Sequence, residues 1–477
     1  MVGIHHSPPR RGGVDAPAAS GLAAQTGWSD RRYTSAGLLL RLRASLEASR
    51  CRACASRGLA LSATSSSCGL ALLLFVMLAA SKCYSQTYTQ RGFLETQSTL
   101  YPLEAPNDSA HAVGESLFRY EGFFNPSGSV QLAGALDFRI DTHLQVGRDF
   151  KLSWQDREIR RPVGEVRRLS ATYHRGPVTV EIGKHFIRWG KTDIVTPTDR
   201  FAPRDFLTVV DNDFLAVTAA RFNFEKGTNT IEAVWSPRFT PSRIPLPNQR
   251  WAVLPELPPG ITLRDAGAIF PEGPQSGLRW NHAGAVEYEL SFYQGFNHLP
   301  SFDATPRFTS TGIDVDVRRF YPKIIMVGGD VAAPTPWFTL KGEAAYFSST
   351  DNRADEYTLY VIQFERQTGE WFFVAGYAGE AITRHGTRAT DFAPDRGLTK
   401  TLLGRAAYTI DANRNILFEA AVRQNGEGVW IKSEYSQLLG QHWRATLNLT
   451  LISGNTGDFL GQYHPNSHAM IVVRYSF

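Results

Sequence analysis

The sequence predicts an all-β protein, a transmembrane antiparallel up-and-down β-barrel of about 16–18 strands, on three observations. Apolar and polar residues alternate at a period of two in segment after segment, and no segment sustains a helical period. Many of the alternating segments run to about 9–13 residues, longer than the strands of soluble sheets and suited to a tilted membrane strand. The chain also stops on such a segment, Ala469, Ile471, Val473, Tyr475 and Phe477, whose apolar face ends in an aromatic residue.

The N-terminal 85 residues differ from the rest. They carry all of the basic excess behind the formal charge of +5, and all four cysteines, Cys51, Cys54, Cys68 and Cys83. The remainder is close to neutral, which argues against nucleic acid as a partner. Its lack of cysteine excludes disulfides, cysteine-ligated zinc and cysteine nucleophiles there. The apolar run Gly69 to Ala80 follows Arg50, Arg52 and Arg57 and is too short to cross a bilayer, so it reads as the core of a signal peptide. The expected organisation is a disordered extension or misassigned start at 1–66, a signal peptide at 67–85, a short periplasmic segment at 86–115 and the barrel at 116–477.

Within the barrel, Leu132, Leu136, Phe138 and Ile140 alternate with Asp137, Arg139 and Asp141. Ile313, Val315 and Val317 alternate with Asp314, Asp316 and Arg318, and Val286, Tyr288, Leu290 and Phe292 with Glu287 and Glu289. Ile416, Phe418, Ala420 and Val422 alternate with Glu419 and Arg423, and Leu447, Leu449 and Leu451 with Asn448 and Thr450. The expected strands fall at 116–124, 129–141, 145–156, 165–174, 177–187, 214–224, 228–239, 281–297, 307–319, 324–333, 337–349, 355–366, 370–383, 399–410, 415–425, 428–437, 442–453 and 467–477. Turns at 142–144, 175–176, 225–227, 334–336, 367–369 and 411–414 are short. Connections at 188–213, 240–280, 384–398 and 454–466 are long, the asymmetry of barrels with periplasmic turns and external loops. Aromatics near strand ends, such as Tyr120, Trp371, Trp430 and Trp443, suit interfacial girdles.

Lipid outside forces the polar face inward, so Asp137, Arg139, Asp141, Asp314, Asp316, Arg318, Glu419 and Arg423 are expected to line the lumen, together with Arg168, Arg405, Lys432, Glu434, Arg444 and Arg474. The 188–213 connection is the candidate constriction. It carries Arg188, Lys191, Arg200 and Arg204 beside Asp193, Asp199, Asp205, Asp211 and Asp213, and leaves a strand bearing Glu181 and His185. Charges of both signs across a narrow pore select solutes by charge and dipole; the alternative is a plain solvated loop. The eight prolines between 240 and 280 stiffen that connection into either a lid over the mouth or a protective surface loop.

Gly183-Lys184-His185-Phe186-Ile187-Arg188-Trp189-Gly190-Lys191, followed by Thr196-Pro197-Thr198-Asp199 and Pro203-Arg204-Asp205, resembles a segment of porin-like bacterial outer-membrane proteins loosely related to alginate-export porins. The resemblance implies passage of small hydrophilic solutes across the outer membrane. Lys191 departs from the acidic or polar residue expected after Trp189-Gly190, which bears on charge preference. The alternatives are a partner-dependent exporter of polysaccharide or small molecules, or a barrel-hosted hydrolase built on His185, Glu181 and Asp193 or on His464 and His468. The absence of G-x-S-x-G and H-E-x-x-H patterns argues against an enzyme. No cofactor or metal is expected. The expected partners are outer-membrane lipid, the barrel-insertion machinery reading Tyr475 and Phe477, and a small solute, with homo-oligomerisation left open.

Overall fold

The computed structural model describes residues 87–477 apart from positions 194, 256, 311, 388 and 389, so the proposed extension and signal peptide lie outside the described residues. The wall is built from β1 (Thr87–Leu100), β2 (Ala112–Ser127), β3 (Val130–Asp141), β4 (Gly164–Arg175), β5 (Val178–His185), β6 (Val217–Lys226), β7 (Asn229–Ser236), β8 (Gln275–His282) and β9 (Glu287–Phe296). It continues through β10 (Lys323–Pro334), β11 (Thr339–Ser349), β12 (Glu356–Thr368), β13 (Trp371–Arg384), β14 (Thr401–Asp411), β15 (Arg414–Arg423), β16 (Gly428–Leu439), β17 (Trp443–Gly454) and β18 (His468–Ser476). Each strand pairs antiparallel with the next. β1 and β18 pair from Phe93↔Ser476 to Leu100↔Ala469 and close the sheet. Closure leaves no strand edge facing hydrocarbon, where an unpaired backbone group would find no partner.

The alternation sorts as the sequence predicts, with the apolar face outward. On β17, Leu447, Leu449 and Leu451 are exposed while Asn448 and Thr450 are buried inside. On β18, Ile471 and Val473 face out while Met470, Val472 and Arg474 face in. Trp371 and Tyr408 meet at 4.6 Å, and Trp443 and Tyr475 at 5.0 Å, close to the short turns. Trp430, in contrast, is turned into the core. Several of the short turns rest on a glycine at positive φ, as at Gly176, Gly227 and Gly369, the conformation that two-residue hairpins between right-twisted strands require.

Eighteen strands is the upper expected count, but two of the expected strands are replaced. Segment 145–156 lies in a long connection, 142–163, on the side away from the chain termini, so the expected short turn at 142–144 is only its beginning. Leu152–Ser153 pairs there in parallel with Gly164 and Glu165, and Val146 makes a single parallel bridge to Arg161. Asp156 has φ +51 and turns its carboxylate into a buried ion pair, which a wall strand would not permit. Segment 307–319 does form strand, but in a separate sheet of the loop region. There Gly312–Phe320 pairs with Ser301–Thr309 and, in parallel, with Ile261–Ile269. Asp314, Asp316 and Arg318 therefore belong to this loop sheet and not to the lumen wall. Period-two alternation marks a strand without saying which sheet it joins.

The two strands that take their places are β1 and β8. The segment expected to be periplasmic, 86–115, supplies β1 and the 101–111 connection, so the barrel begins at Thr87 and not at residue 116. On β1, Thr96 and Ser98 interrupt the outward row between Leu94 and Leu100, and adjacent Phe93 and Leu94 blur its period. The expected strand 281–297 is divided by a turn at 283–286 into the end of β8 and the whole of β9.

Barrel closure converges on the last residue. Phe477 exchanges two 3.0 Å backbone hydrogen bonds with Gly92 on β1, and its ring stacks on Phe118 at 6.1 Å. A Cβ at Gly92 would lie 2.5 Å from the Phe477 ring, so this site accepts only glycine without displacing the aromatic. Deleting Phe477 is expected to lower the yield of the heat-modifiable folded form on gels, while Phe302→Ser in the loop sheet leaves it unchanged; equal yields for both would contradict a role in closure.

Candidate functional site

The 186–216 connection leaves β5 and folds into the barrel. Ile187, Trp189 and Phe201 pack with Val217, Val234, Tyr293, Met326 and Phe347 from the wall. Further on, Val195 and Val209 join a second cluster with Val361, Leu403, Trp430 and Ile452. The inner surface at this level is therefore apolar where it meets the loop, a departure from the expected uniformly polar lumen.

What fixes the loop is a wall carboxylate. Glu343, on β11 and buried, accepts hydrogen bonds from the backbone N–H groups of Lys191 (3.1 Å), Thr192 (3.1 Å) and Thr198 (2.8 Å), and from the hydroxyls of Thr192 (2.7 Å) and Thr198 (2.8 Å). Gly190 adopts φ +87 directly beneath it, where a Cβ would sit 2.5 Å from the carboxylate. That accounts for the Trp-Gly pair. Trp189 donates its indole N–H to Glu232 on β7 at 2.6 Å, and its ring meets Phe201 edge-on.

The two Pro-x-Asp tripeptides also become legible. Asp199 accepts from the Trp189 N–H and from Arg188, tying the two limbs of the loop together. Asp205 receives Arg161 at 2.9 Å and Arg243 at 3.0 Å, and caps the Leu207 N–H. Burial works against ionisation of Asp205, but the two guanidiniums outweigh it and hold its pKa down to about 2.

The other candidates divide. Lys191 lies 3.2 Å from Glu287 and 3.4 Å from Asp330 on the wall. Asp193 is held by Gln363 on β12, with Lys341 and Arg405 near it. Arg200 pairs with Asp395, and the guanidiniums of Arg188 and Arg204 lie over the Phe214 ring. Glu181 accepts from Arg168 and Ser170, and its carboxylate is 4.0 Å from His185. Because Asp193 is bound to β12 and β14 instead, the grouping of His185, Glu181 and Asp193 is not assembled. His464 and His468 bond the backbone carbonyls of Ile452 and Asn466.

Of the candidate residues on the loop, Asp211 and Asp213 reach the space beside the arginine-bearing wall. They border a cavity of ≈ 110 Å³ whose other side is the wall of β1–β4 and β18 with Arg119, Arg139, Arg167 and Arg474, plus Arg161 from the 142–163 connection. Asp137 takes a bidentate pair from Arg119 at 2.6 Å and has Arg139 and Arg167 within 3.7 Å. Glu115 takes Arg139 and Arg161, and Glu95 takes Arg474. Asp213 approaches Arg139 at 3.7 Å, and Asp211 approaches Lys432 at 3.9 Å. Glu95 and Arg474 also line a smaller space toward the turn end with Glu434 and Arg444. Of the remaining expected wall residues, Asp141 caps the Gln145 N–H, Glu419 pairs with Arg405 and Arg423 with Asp458.

Comparison with known proteins gives the fold a context. No protein-family model matches the sequence, and no curated protein matches it either. Solved structures do. A BenF-like porin from Pseudomonas fluorescens Pf-5 superposes with a TM-score of 0.50 at 10% identity, over 82% of this chain and 98% of that one. OccAB4 of Acinetobacter baumannii gives 0.48 at 11% identity, over 82% and 99%. The chain has a porin-like fold. A closed barrel with an apolar outer surface is built to sit in a membrane.

Arg119, Arg161, Glu115 and Glu343 were not among the residues expected at the site. Glu115 and Arg119 share a period-two face with Leu117, a signal present in the sequence; Arg161 and Glu343 carry none, since only the folded loop brings their partners to them. Two variants test the loop anchor. Glu343→Ala is expected to leave three buried amides short of an acceptor, at about 1–3 kcal/mol each, and to raise single-channel conductance as the loop loosens. Unchanged conductance would mean the loop is held elsewhere. Asp205→Asn leaves two buried guanidiniums undercompensated and should lower stability by about 3–5 kcal/mol. Since the native carboxylate sits below its unfolded value of about 3.9, its stabilising contribution is complete above that pH and fades as pH falls toward 2. The wild type should therefore lose stability at this site progressively from about pH 4 to pH 2, a loss absent from Asp205→Asn, as thermal melts in detergent would show.

Proposed function

We propose that the protein is a channel for small solutes, in which the 186–216 loop narrows the lumen and leaves passage along the arginine-bearing wall. The observation that carries this reading is the cavity between Asp211 and Asp213 on the loop and Arg119, Arg139, Arg161, Arg167 and Arg474 opposite. Opposed charges across a narrow, partly desolvated space produce a transverse field that orients a dipolar solute and discriminates among ions. The fold supports the reading, because a barrel of this size encloses a lumen that side chains alone do not fill.

The likeness to alginate-export porins rests on the 183–205 motif, whose residues serve here to lock the loop. It adds nothing about the solute. Against the hydrolase alternative stands the bonding of Asp193 to Gln363, away from His185 and Glu181. The inferred partners are outer-membrane lipid, the insertion machinery and the solute itself.

The selectivity residues follow from position. Arg188, Lys191, Arg200 and Arg204 are engaged away from the cavity, so neutralising them should act mainly through loop stability. Asp211→Asn with Asp213→Asn should shift reversal potentials in a planar bilayer toward anions, and Arg474→Gln toward cations. Both shifts should shrink at 1 M salt, where the Debye length is about 3 Å. A barrel without conductance would reject the channel, and conductance indifferent to these substitutions would reject the cavity as its path.

A further inference from the structure

A second and larger cavity, ≈ 610 Å³, lies at the loop end of the barrel. Every residue lining it comes from the long connections, and its surface is mostly apolar, formed by Ile244, Trp251, Phe302, Phe392, Phe459 and Tyr463 among others. Its volume falls in the range of small-molecule sites, about 300–1,000 Å³. Its charges stay at the edge. Arg319 and Asp265 neutralise one another at 3.2 Å, and Arg264 is exposed.

The floor of this cavity is the roof of the inner one. Trp251 and Tyr463 line the outer space, and Tyr101 and His468 line the inner. The four rings form one continuous layer, with centroids 5.6 Å apart for Trp251 and Tyr463, 6.4 Å for Trp251 and His468, and 5.3 Å for Tyr101 and His468. Trp251 is carried on a turn held through its neighbour. Arg250 donates to the Ala110 carbonyl at 2.7 Å and lies over the Tyr101 ring at 3.6 Å, and its own carbonyl accepts from Asn466.

We propose that the loop-end cavity is an outer solute site, which takes a small organic molecule by an apolar face, and that Trp251 is the partition the molecule passes to reach the arginine-lined cavity. The inference rests on the channel reading and names the kind of solute it admits. A polar solute without an apolar face gains nothing from this lining, whereas one with a flat hydrocarbon body replaces water against aromatic and aliphatic side chains. A site directly above the partition holds the molecule where the next step occurs.

The test uses the full barrel in a planar bilayer with two uncharged probes, indole and glucose, added to the loop side. Indole is expected to interrupt the current with a frequency proportional to its concentration, and glucose is not. Val253→Ser with Leu254→Ser, both exposed on the cavity wall, should shorten the indole interruptions about fivefold. Trp251→Ala should raise conductance by joining the two cavities. Conductance without indole interruptions, equal interruption by both probes, or indole events unaffected by the Val253 and Leu254 substitutions would each overturn the outer site while leaving the channel standing. Unaltered conductance in a folded Trp251→Ala barrel would overturn the partition. If that variant does not fold, Trp251→Phe serves: a smaller ring should lengthen the open intervals, and unchanged intervals count against the partition. Absence of any current in the wild type would defeat the channel itself.

Discussion

A chain segment that enters a barrel leaves water behind, and its backbone N–H groups must find acceptors inside. Glu343 meets that demand for the 186–216 loop. Its two oxygens collect three amides and two hydroxyls, so one residue of the wall decides where the loop lies. Other features follow from that contact. Gly190 is needed because the carboxylate occupies the space of its side chain. Trp189 is placed to reach Glu232, and the far limb carries Asp211 and Asp213 across the lumen to the arginine wall.

The charges inside are numerous, yet they do not act as a general source of stability. Removing a guanidinium or a carboxylate from water costs several kcal/mol per ion, which a well-bonded partner offsets but seldom exceeds. What such pairs enforce is arrangement, because each alternative leaves an ion uncompensated. Asp205, between Arg161 of one connection and Arg243 of another, fixes three loops relative to each other. Asp137 does the same for Arg119, Arg139 and Arg167 on the wall. The cavity keeps its shape because moving any one of these groups would strand another.

The fold was largely legible in the sequence, and so was the identity of the loop. Lipid outside and polar groups within impose period two on wall strands, and Phe477 marks where the barrel closes. The count of strands agrees because two segments wrongly placed in the wall, 145–156 and 307–319, are matched by two that were missed. An even number is required for both termini to lie on one side, so compensating errors preserve it. β1 escaped notice because Thr96 and Ser98 interrupt its outward row between Leu94 and Leu100; the loop sheet misled because its alternation is genuine. At the site, Asp211 and Asp213 were visible as charges in a long loop, but their difference from Asp193 and Asp199 was not. That difference depends on which wall residue each meets, and residues such as Gln363 and Lys432 are far away in the chain.

The two cavities have opposite chemistry, and their order has a physical consequence. A solute entering from the loop side would meet hydrocarbon first and fixed charge second. Shedding water against an apolar lining is favourable for the nonpolar part of a molecule, while a charged part can remain in the open mouth near Arg264. Past Trp251 the situation reverses: the ion pairs of Arg139, Arg161 and Arg474 can exchange protein carboxylates for solute groups with little net change in hydrogen bonding. Desolvation is thereby divided into two steps, each compensated where it occurs. A single mixed cavity would require both at once, and the aromatic layer between the compartments is what keeps them apart.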